Sequence, residues 1–187
     1  MNKSVLITGG CGFIGSHLVE YFIKKKFNIT VLDKYNIDNN WGHLQKYKNK
    51  NNKIRVILGD IRDYDCVFKS VKGNDSVIHL AALGGIPFSY FSPLAYIKTN
   101  TEGTYNILEA SRNLKTKQVL VFSTSETYGS AQYVPMNEKH PKLAQSPYAA
   151  SKIAADQIAI SYYKSFDTPV KIVRPFNVFG ERQSDRA

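Results

Sequence analysis

A glycine-rich turn near the amino terminus constrains the fold of this chain more than any other feature. The run Thr8–Leu18 reads TGGCGFIGSHL and follows the apolar residues Val5–Ile7. Gly9, Gly12 and Gly15 fall at three-residue steps, and the run also contains G-x-G-x-x-G. A tight turn, a close approach of backbone to a pyrophosphate, and close packing of helix on strand each require a glycine. The run therefore predicts a strand, a phosphate-binding turn and a helix.

The residues that flank this turn favour a dinucleotide site. Apolar residues recur at helical spacing over Phe13–Lys26, and a helix that begins near Phe13 would point its first N–H groups at the phosphates. The next apolar run ends at Asp33. A carboxylate about 20 residues beyond the glycines can accept hydrogen bonds from both ribose hydroxyls of NAD. We therefore predict NAD as the cofactor, against the alternative of a plain strand-turn-helix unit with a solvated aspartate.

Six apolar, β-like runs recur along the chain with helical or loop stretches between them, and this alternation predicts parallel strands joined by right-handed crossovers. We expect an α/β fold, a Rossmann-type doubly wound parallel sheet with strand order 3-2-1-4-5-6. Residues 34–53 are polar and are predicted to form a loop with a short helix. The predicted strands are Ser4–Thr8, Asn28–Leu32, Ile54–Leu58, Ser76–Leu80, Gln118–Ser123 and Val170–Arg174.

Composition narrows the class of protein. At 187 residues, 43% of them hydrophobic, the chain suits one domain over residues 1–187. The net charge of +10 comes from dispersed lysines without interleaved aromatic residues, so we expect no nucleic-acid partner. We expect no membrane span, no signal peptide and a cytoplasmic location. Two cysteines and four histidines show no metal spacing, so no metal site is assigned.

A tyrosine and a lysine four residues apart are the leading catalytic candidates. Tyr148 and Lys152 lie in SPYAASKIAADQIA, whose pattern is helical, so both side chains project from one face. An ammonium group beside a phenol is expected to lower the pKa of the phenol, which makes Tyr148 a proton acceptor near neutral pH. Thr124 and Glu126 follow the fifth predicted strand, where open parallel sheets place ligands. The alternatives are an ordinary surface pair and a Ser/Thr-rich turn with a solvated glutamate.

Taken together and in order, the motifs resemble those of the extended short-chain dehydrogenase/reductase family of nucleotide-sugar enzymes, the NAD-dependent epimerases and dehydratases. The resemblance runs the whole length of the chain. It is carried by the glycine turn, Gly59-Asp60-Ile61-Arg62-Asp63, His79-Leu80-Ala81-Ala82, Thr124-Ser125-Glu126, Tyr148 with Lys152, and Arg174-Pro-Phe-Asn177-Val-Phe-Gly180.

This resemblance implies roles for individual residues. Asp60 and Ile61 would flank the adenine, and Asn177 and Ser125 would lie near the substrate. The implied catalytic residues are Thr124, Glu126, Tyr148 and Lys152. The implied cofactor-binding residues are Gly9, Gly12, Phe13, Ile14, Gly15, Asp33, Asp60, Ile61, Leu80, Ala81, Ala82, Tyr148 and Lys152.

Members of this family share oxidation of the hexose C4 hydroxyl and differ in the step that follows. Glu126 is the candidate base for the C5 hydrogen, which favours a 4,6-dehydratase; similar 4-epimerases usually carry a small neutral residue there. Thr-Ser-Glu is similar both to 4,6-dehydratases and to uronic acid decarboxylases. Where other dehydratases have an Asp before the Glu, this chain has Ser125, so the acid for the C6 hydroxyl is unassigned.

Three further stretches resemble dehydratases of the legionaminic acid type, which act on nucleotide-linked N-acetylglucosamine. They are Ala82–Tyr90, Ala131–Tyr148 and Arg182–Ala187. The resemblance implies an amino-terminal part of a longer enzyme with its substrate lobe largely absent. Helices near Pro93–Asn113 and Tyr148–Lys164 resemble a dimer-forming pair, which implies a homodimer. A non-catalytic NAD-sensing module is the alternative outside enzymes.

Overall fold

The computed structural model describes residues 3–184, and a six-stranded parallel sheet lies at its centre. The strand order is β3-β2-β1-β4-β5-β6, and each of the five pairings is parallel. This confirms the predicted Rossmann-type α/β sheet. The strands are β1 Ser4–Thr8, β2 Asn28–Lys34, β3 Ile54–Gly59, β4 Ser76–His79, β5 Gln118–Phe122 and β6 Val170–Val173.

Helices cover both faces of the sheet. Within residues 3–184, six α-helices, two 3-10 helices and one π-helical segment lie between the strands. They are α1 Phe13–Lys24, α2 Tyr64–Val71, α3 Ile86–Phe91, α4 Pro93–Tyr96, α5 Gly103–Asn113 and α6 Pro147–Phe166; the 3-10 helices are Gly42–Tyr47 and Ser125–Tyr128, and the π-helical segment is Ile97–Glu102.

Alternation along the buried strands produces two separate cores. Val5 and Ile7 of β1 pack on the α1 side with Val19 and with Leu44 of the first 3-10 helix. Leu6, between them, packs on the opposite side with residues of α2, α5 and α6. Successive side chains of a strand point to opposite faces, so a strand covered on both sides is apolar at nearly every position. The continuous apolar runs in the sequence reflect this double cover.

The predicted strand ends differ from the observed ones by one or two residues. β2 and β3 run further than predicted because Asp33 and Lys34 continue the pairing, opposite Leu58 and Gly59. β4, β5 and β6 are slightly shorter than predicted. The helix expected near residues 93–113 is present as α4, the π-helical segment and α5 in succession. The carboxyl-terminal ends of the strands, where the site lies, are where the boundaries shift.

Among residues 3–184, no helix has the length and apolar character needed to cross a membrane. The last three residues of the stretch Arg182–Ala187, one of the three that carry the finer resemblance, lie outside the described residues.

Candidate active site

The glycine turn has the geometry that its spacing predicts. Gly9 has a φ of +71°, and a Cβ there would lie 3.0 Å from the backbone nitrogen of Ala81. A Cβ on Gly15 would overlap the carbonyl oxygen of Gly9, so the helix can pack on the turn only with glycine at position 15. α1 begins at Phe13 directly after Gly12. The turn therefore leaves its backbone exposed beside a helix amino terminus, a cradle that fits a pyrophosphate.

A cleft of about 640 Å³ opens over this turn at the carboxyl-terminal edge of the sheet. Eleven of the thirteen cofactor-binding residues implied by the resemblance line it; they are Gly9, Gly12, Phe13, Ile14, Gly15, Asp33, Asp60, Ile61, Leu80, Ala81 and Ala82. Tyr148 and Lys152 are not in that lining. The cleft is also lined by residues that were not assigned to the cofactor, among them Arg62, Leu83, Ala95 and Thr99.

Asp33 is oriented at the end of β2 by two backbone donors. The N–H of Cys11 donates to Asp33 Oδ2 at 2.7 Å, and the N–H of Lys34 donates to Oδ1 at 2.7 Å. Burial, reinforced by the negative charge of Asp33, raises the pKa of the Cys11 thiol far above its usual value. Cys11 is thus a protonated thiol, and the carboxylate keeps acceptor capacity for a ribose hydroxyl.

The turn after β5 forms a second 3-10 helix that presents Glu126. The Thr124 hydroxyl oxygen caps this helix by accepting from the N–H of Glu126 at 3.2 Å. The next long helix, α6, begins at Pro147 and is capped by Ser146, whose hydroxyl oxygen accepts from the N–H of Ala149 at 3.0 Å. The caps satisfy amide donors that would otherwise be unpaired at helix starts. They also fix where Glu126 and Tyr148 emerge.

Thr124, Glu126 and Tyr148 come together at this point. Burial raises the pKa of Tyr148 above its ordinary value, the hydrogen-bonding contact with Thr124 opposes the rise, and the negative charge of Glu126 adds to it. The expectation of a lowered Tyr148 pKa is therefore wrong for this arrangement. The reason lies at Lys152, whose Nζ donates to the carbonyl oxygen of Phe122 at 2.6 Å and does not pair with the phenol.

Lys152 itself is 4% exposed. Burial lowers its pKa to about 8, and the negative charge of Asp156 opposes that change. A lysine in this range exchanges protons near physiological pH. Tyr148 and Lys152 share a face of α6 as predicted, but their electrostatic environments are separate in this structure.

A buried asparagine that the sequence reasoning missed connects the cleft to α6. Asn100 lies in the π-helical segment and is 1% exposed. Its Oδ1 accepts from the N–H of Leu83 at 2.8 Å, and its Nδ2 donates to the Leu83 carbonyl at 3.0 Å and to Ser151 Oγ at 3.0 Å. The Ser151 hydroxyl in turn donates to the carbonyl of Tyr148 at 2.7 Å. The signal available in the sequence was an asparagine inside an otherwise helical pattern.

A buried histidine at the end of β4 organises the other side of the cleft. His79 Nδ1 lies 2.7 Å from Thr8 Oγ1, which accepts from the N–H groups of Leu80 and Ala81. Its Nε2 lies 3.1 Å from Thr104 Oγ1, which donates its own proton to a backbone carbonyl. Burial lowers the pKa of His79 to about 3. These contacts require a neutral ring with its proton on Nε2.

The two implied substrate residues occupy the same edge of the sheet. Ser125 begins the second 3-10 helix, and its N–H donates to the carbonyl of Pro175 at 3.1 Å. Asn177 is exposed in the segment that follows β6. Within residues 3–184 there is no cluster of three His, Cys, Asp or Glu side chains that could hold a metal ion.

Comparison with known proteins matches this geometry to one family of sugar-nucleotide enzymes. The family model described as GDP-mannose 4,6 dehydratase matches residues 6–187. The dTDP-D-glucose 4,6-dehydratase of Dictyostelium discoideum is 36% identical, over 97% of this chain and 45% of that protein. The UDP-N-acetyl-alpha-D-glucosaminuronate decarboxylase of Bacillus cytotoxicus is 35% identical, over 99% of this chain and 57% of that protein.

Solved structures give the same picture. The dTDP-glucose 4,6-dehydratase DesIV of Streptomyces venezuelae, with NAD and TYD bound, has a TM-score of 0.88 at 31% identity and covers 96% of this chain and 57% of its own. The UDP-N-acetylglucosamine 4-epimerase of Methanobrevibacter ruminantium has a TM-score of 0.87 at 34% identity and covers 100% of this chain and 58% of its own. The chain thus spans about half the length of its relatives.

Proposed function

This chain belongs to the family of NAD-dependent sugar-nucleotide epimerases and dehydratases, and from that premise we propose that it is the cofactor-binding part of a nucleotide-sugar 4,6-dehydratase. The proposed reaction oxidises the C4 hydroxyl of a hexose, eliminates water across C5 and C6, and returns hydride to C6. Its relatives include dehydratases, epimerases and a decarboxylase, so the choice among these reactions depends on the site.

The observation that carries the proposal is the position of Glu126 beside Tyr148. The negative charge of Glu126 acts on the Tyr148 phenol and adds to the rise of its pKa, while Thr124 contacts the same phenol. A dehydratase needs one base at the C4 hydroxyl and another at C5, two adjacent carbons. Two proton-transfer groups side by side, on the turn after β5 and on α6, meet that requirement.

We assign each side chain a task in the reaction. Tyr148, a neutral phenol in this structure, accepts the C4 hydroxyl proton once it has lost its own proton, while the Thr124 hydroxyl hydrogen bonds to the same oxygen. NAD, when bound, supplies the acceptor for the C4 hydride. The resulting C4 ketone acidifies the C5 hydrogen, which the Glu126 carboxylate removes as a proton. The C6 hydroxyl takes up a proton from an acid not yet assigned to a residue and leaves as water. Lys152, whose Nζ donates to the carbonyl oxygen of Phe122 in this structure, is assigned to hold a ribose hydroxyl.

The cleft fits NAD on grounds internal to this chain. The overlap that any side chain at position 15 would cause, and the positive φ of Gly9, leave the turn shaped for a pyrophosphate. Asp33 offers a carboxylate at the end of β2 for the ribose, and Asp60 and Ile61 line the cleft farther along the edge, where we place the adenine. We expect the 187-residue chain to bind NAD; calorimetry that finds no binding to the folded chain would contradict this.

We propose UDP-N-acetylglucosamine as the first substrate to test, in keeping with the resemblance to legionaminic-type dehydratases. The protein is incubated with NAD and a panel of nucleotide sugars, and products are weighed by mass spectrometry. A product lighter by one water supports the dehydratase. An isomer of unchanged mass, or loss of carbon dioxide, replaces it with an epimerase or a decarboxylase.

The role of Glu126 has its own test. Glu126→Gln keeps the shape of the side chain and removes the base, so we expect C4 oxidation to persist while water elimination is lost. Glu138→Gln, an exposed glutamate of the following loop, is the matched control and should leave both steps intact. Dehydration at the normal rate in Glu126→Gln would refute the assignment.

We also propose a homodimer formed by α4, α5 and α6. Large apolar side chains are exposed on this surface, including Leu94 at 60%, Tyr163 at 58% and Phe166 at 52%. Exposed apolar residues concentrated on a few neighbouring helices are typical of an interaction surface. Sedimentation velocity should give twice the mass of the chain; a monomer at high concentration would contradict the proposal.

A further inference from the structure

A buried ion pair lies one helical turn from the candidate catalytic lysine. Asp156 is fully buried, and Arg174 Nε donates to its Oδ2 at 2.8 Å. Asp156 follows Lys152 by four residues on α6, so the two side chains share a face of the helix. Asp156 Oδ1 has no hydrogen-bond partner among the residues that the structure describes. A buried carboxylate with a free oxygen is costly, which calls for a reason beyond packing.

Arg174 connects the pair to the turn that carries Glu126. Its Nη1 donates to the hydroxyl of Tyr128 at 3.3 Å, and its guanidinium lies 5.5 Å from the centroid of the Tyr128 ring. Tyr128 is buried and ends the 3-10 helix that presents Glu126. The pair thus joins α6, the end of β6 and the turn after β5, which are the elements on which the proposed catalytic groups lie.

Asp156 differs from the other titratable groups near Lys152 in carrying a negative charge. His79, across from the lysine on β4, is held neutral by burial, which lowers its pKa to about 3. Tyr148 on α6 is a neutral phenol, since burial raises its pKa. On the far side, Lys142 and Arg174 face Asp156 with positive charge. Asp156 is therefore the negative charge that acts on Lys152 in this buried group.

We propose that Asp156 is a positioning residue that keeps buried Lys152 in its ammonium form, while its pairing with Arg174 limits how much negative charge Lys152 experiences. The ammonium form is what can donate to Phe122 and, in the reaction proposed above, to a ribose hydroxyl. Arg174 also contacts Tyr128, and so connects the Asp156–Arg174 ion pair to the 3-10 helix that carries Glu126. The inference rests on the proposed function only for its catalytic meaning.

The test measures the protonation of Lys152 directly. The ¹⁵Nζ and ¹³Cε signals of lysine are followed by NMR from pH 6 to pH 11, with Lys152→Arg used to assign the Lys152 signal. The wild-type chain should titrate at about 8. Asp156→Asn removes the negative charge and keeps the shape, so the pKa of Lys152 should fall by one unit or more, at least a tenfold change in the protonation equilibrium.

Arg174→Gln supplies an independent test of opposite sign. Without the guanidinium, the carboxylate of Asp156 acts on Lys152 without neutralisation, and the pKa of Lys152 should rise. A merely structural pair would behave differently: loosening the core would admit water and raise the pKa in both variants. Opposite shifts support the proposal, whereas a rise in both, or no shift in either, overturns it.

Two further variants keep the result interpretable. Asp156→Glu retains the charge and should restore a pKa near the wild-type value; a fall as large as that of Asp156→Asn would contradict the charge role. Glu109→Gln, which removes the partner of Arg112 on α5, is the matched ion-pair control and should leave Lys152 unchanged. If Asp156→Asn does not fold, the sign of the Arg174→Gln shift decides. The titration needs no sugar, so its failure is separate from failure of the dehydratase proposal.

Discussion

The two halves of the sheet build their parts of the cleft in different ways. The cofactor side, made by β1 to β3, presents backbone: a glycine turn, a helix amino terminus and one oriented carboxylate. The catalytic side, made by β4 to β6, presents buried polar side chains whose partners come from distant parts of the chain. A backbone cradle depends on residues that are neighbours in the sequence and so leaves a local motif. A buried polar network depends on contacts between distant residues, which form only when the chain folds.

The largest expected effect falls on the cofactor side. In Gly15→Ala the new Cβ would overlap the carbonyl oxygen of Gly9, and backbone cannot move aside as a flexible side chain can. We expect a loss of roughly 4 kcal/mol in the free energy of unfolding, at the upper end for overpacking, and a large loss of NAD affinity. Denaturant titration and calorimetry measure the two. Gly84→Ala, where a Cβ meets nothing within 4 Å, is the control and should keep wild-type stability.

On the catalytic side, we expect the lowered pKa of His79 to make the protein less stable in acid. Its pKa falls from 6.5 to about 3 on burial, so the folded protein holds the ring neutral while the unfolded chain takes up a proton below pH 6.5. The stability it contributes is complete above pH 6.5 and is lost as the pH falls toward 3, by about 3 kcal/mol at pH 4. Denaturant titrations from pH 7 to pH 4 measure this loss.

Carboxyl groups also make the protein less stable in acid. Ion pairs lower the pKa of Glu20 and Glu109 to about 2 in the folded protein, so acid protonates these groups more readily in the unfolded chain. His79→Gln separates the two sources because it lacks the titrating ring. The free energy of unfolding should fall less steeply with decreasing pH in this variant, because unfolding takes up about one proton fewer. Equal slopes in variant and wild type would mean that His79 is not held neutral.

A smaller effect is expected for Asn100→Ala. This variant leaves the partly buried N–H and C=O of Leu83 without their side-chain partner and removes the donor to the Ser151 hydroxyl, at a cost of about 2 kcal/mol. NAD binding should weaken as well, because Leu83 lines the cleft. The control is Asn113→Ala, an exposed asparagine of α5. If both variants unfold at the same denaturant concentration, the bridge through Asn100 carries no stability.

The smallest effect is expected far from both sides of the cleft. Lys117 pairs with Asp75 at 2.6 Å, but its side chain is 72% exposed. Solvent and salt screen such a pair, so Lys117→Gln should leave thermal stability and NAD binding unchanged. A clear loss of stability would show that this exposed ion pair stabilises the fold despite its solvent exposure.

The fold and half of the site were predictable, and the reasons are physical. Doubly covered strands give long apolar runs, and the turn needs glycine at fixed positions, so both leave a local signature. Asp33, marked by its spacing from the glycines, and Asp60 and Ile61, implied by the resemblance, all line the cleft, and their contacts with a cofactor stay predictions.

The remaining features depend on burial and on contacts between distant residues. The pKa of Tyr148 was expected to fall because Lys152 is four residues away, but spacing gives no account of where Nζ finds its acceptor. Asn100 belongs to no motif that predicts a bridge, since its partners come from Leu83 and Ser151. The roles of Glu126 and of the substrate residues stay predictions until the experiments above are done.

The π-helical segment, Ile97–Glu102, is a place where the number of residues in the helix matters for the structure. Such a segment amounts to an extra residue within a helix, and each residue of an α-helix turns the chain by about 100°. Deleting a single residue there would let the helix become regular and keep α5 in its present orientation relative to α4, but it would displace Asn100 from its contacts with Leu83 and Ser151. Substitutions along the outer surface of this helix leave those contacts untouched. Insertions and deletions, more than replacements, are therefore the changes that this part of the molecule is least able to accommodate.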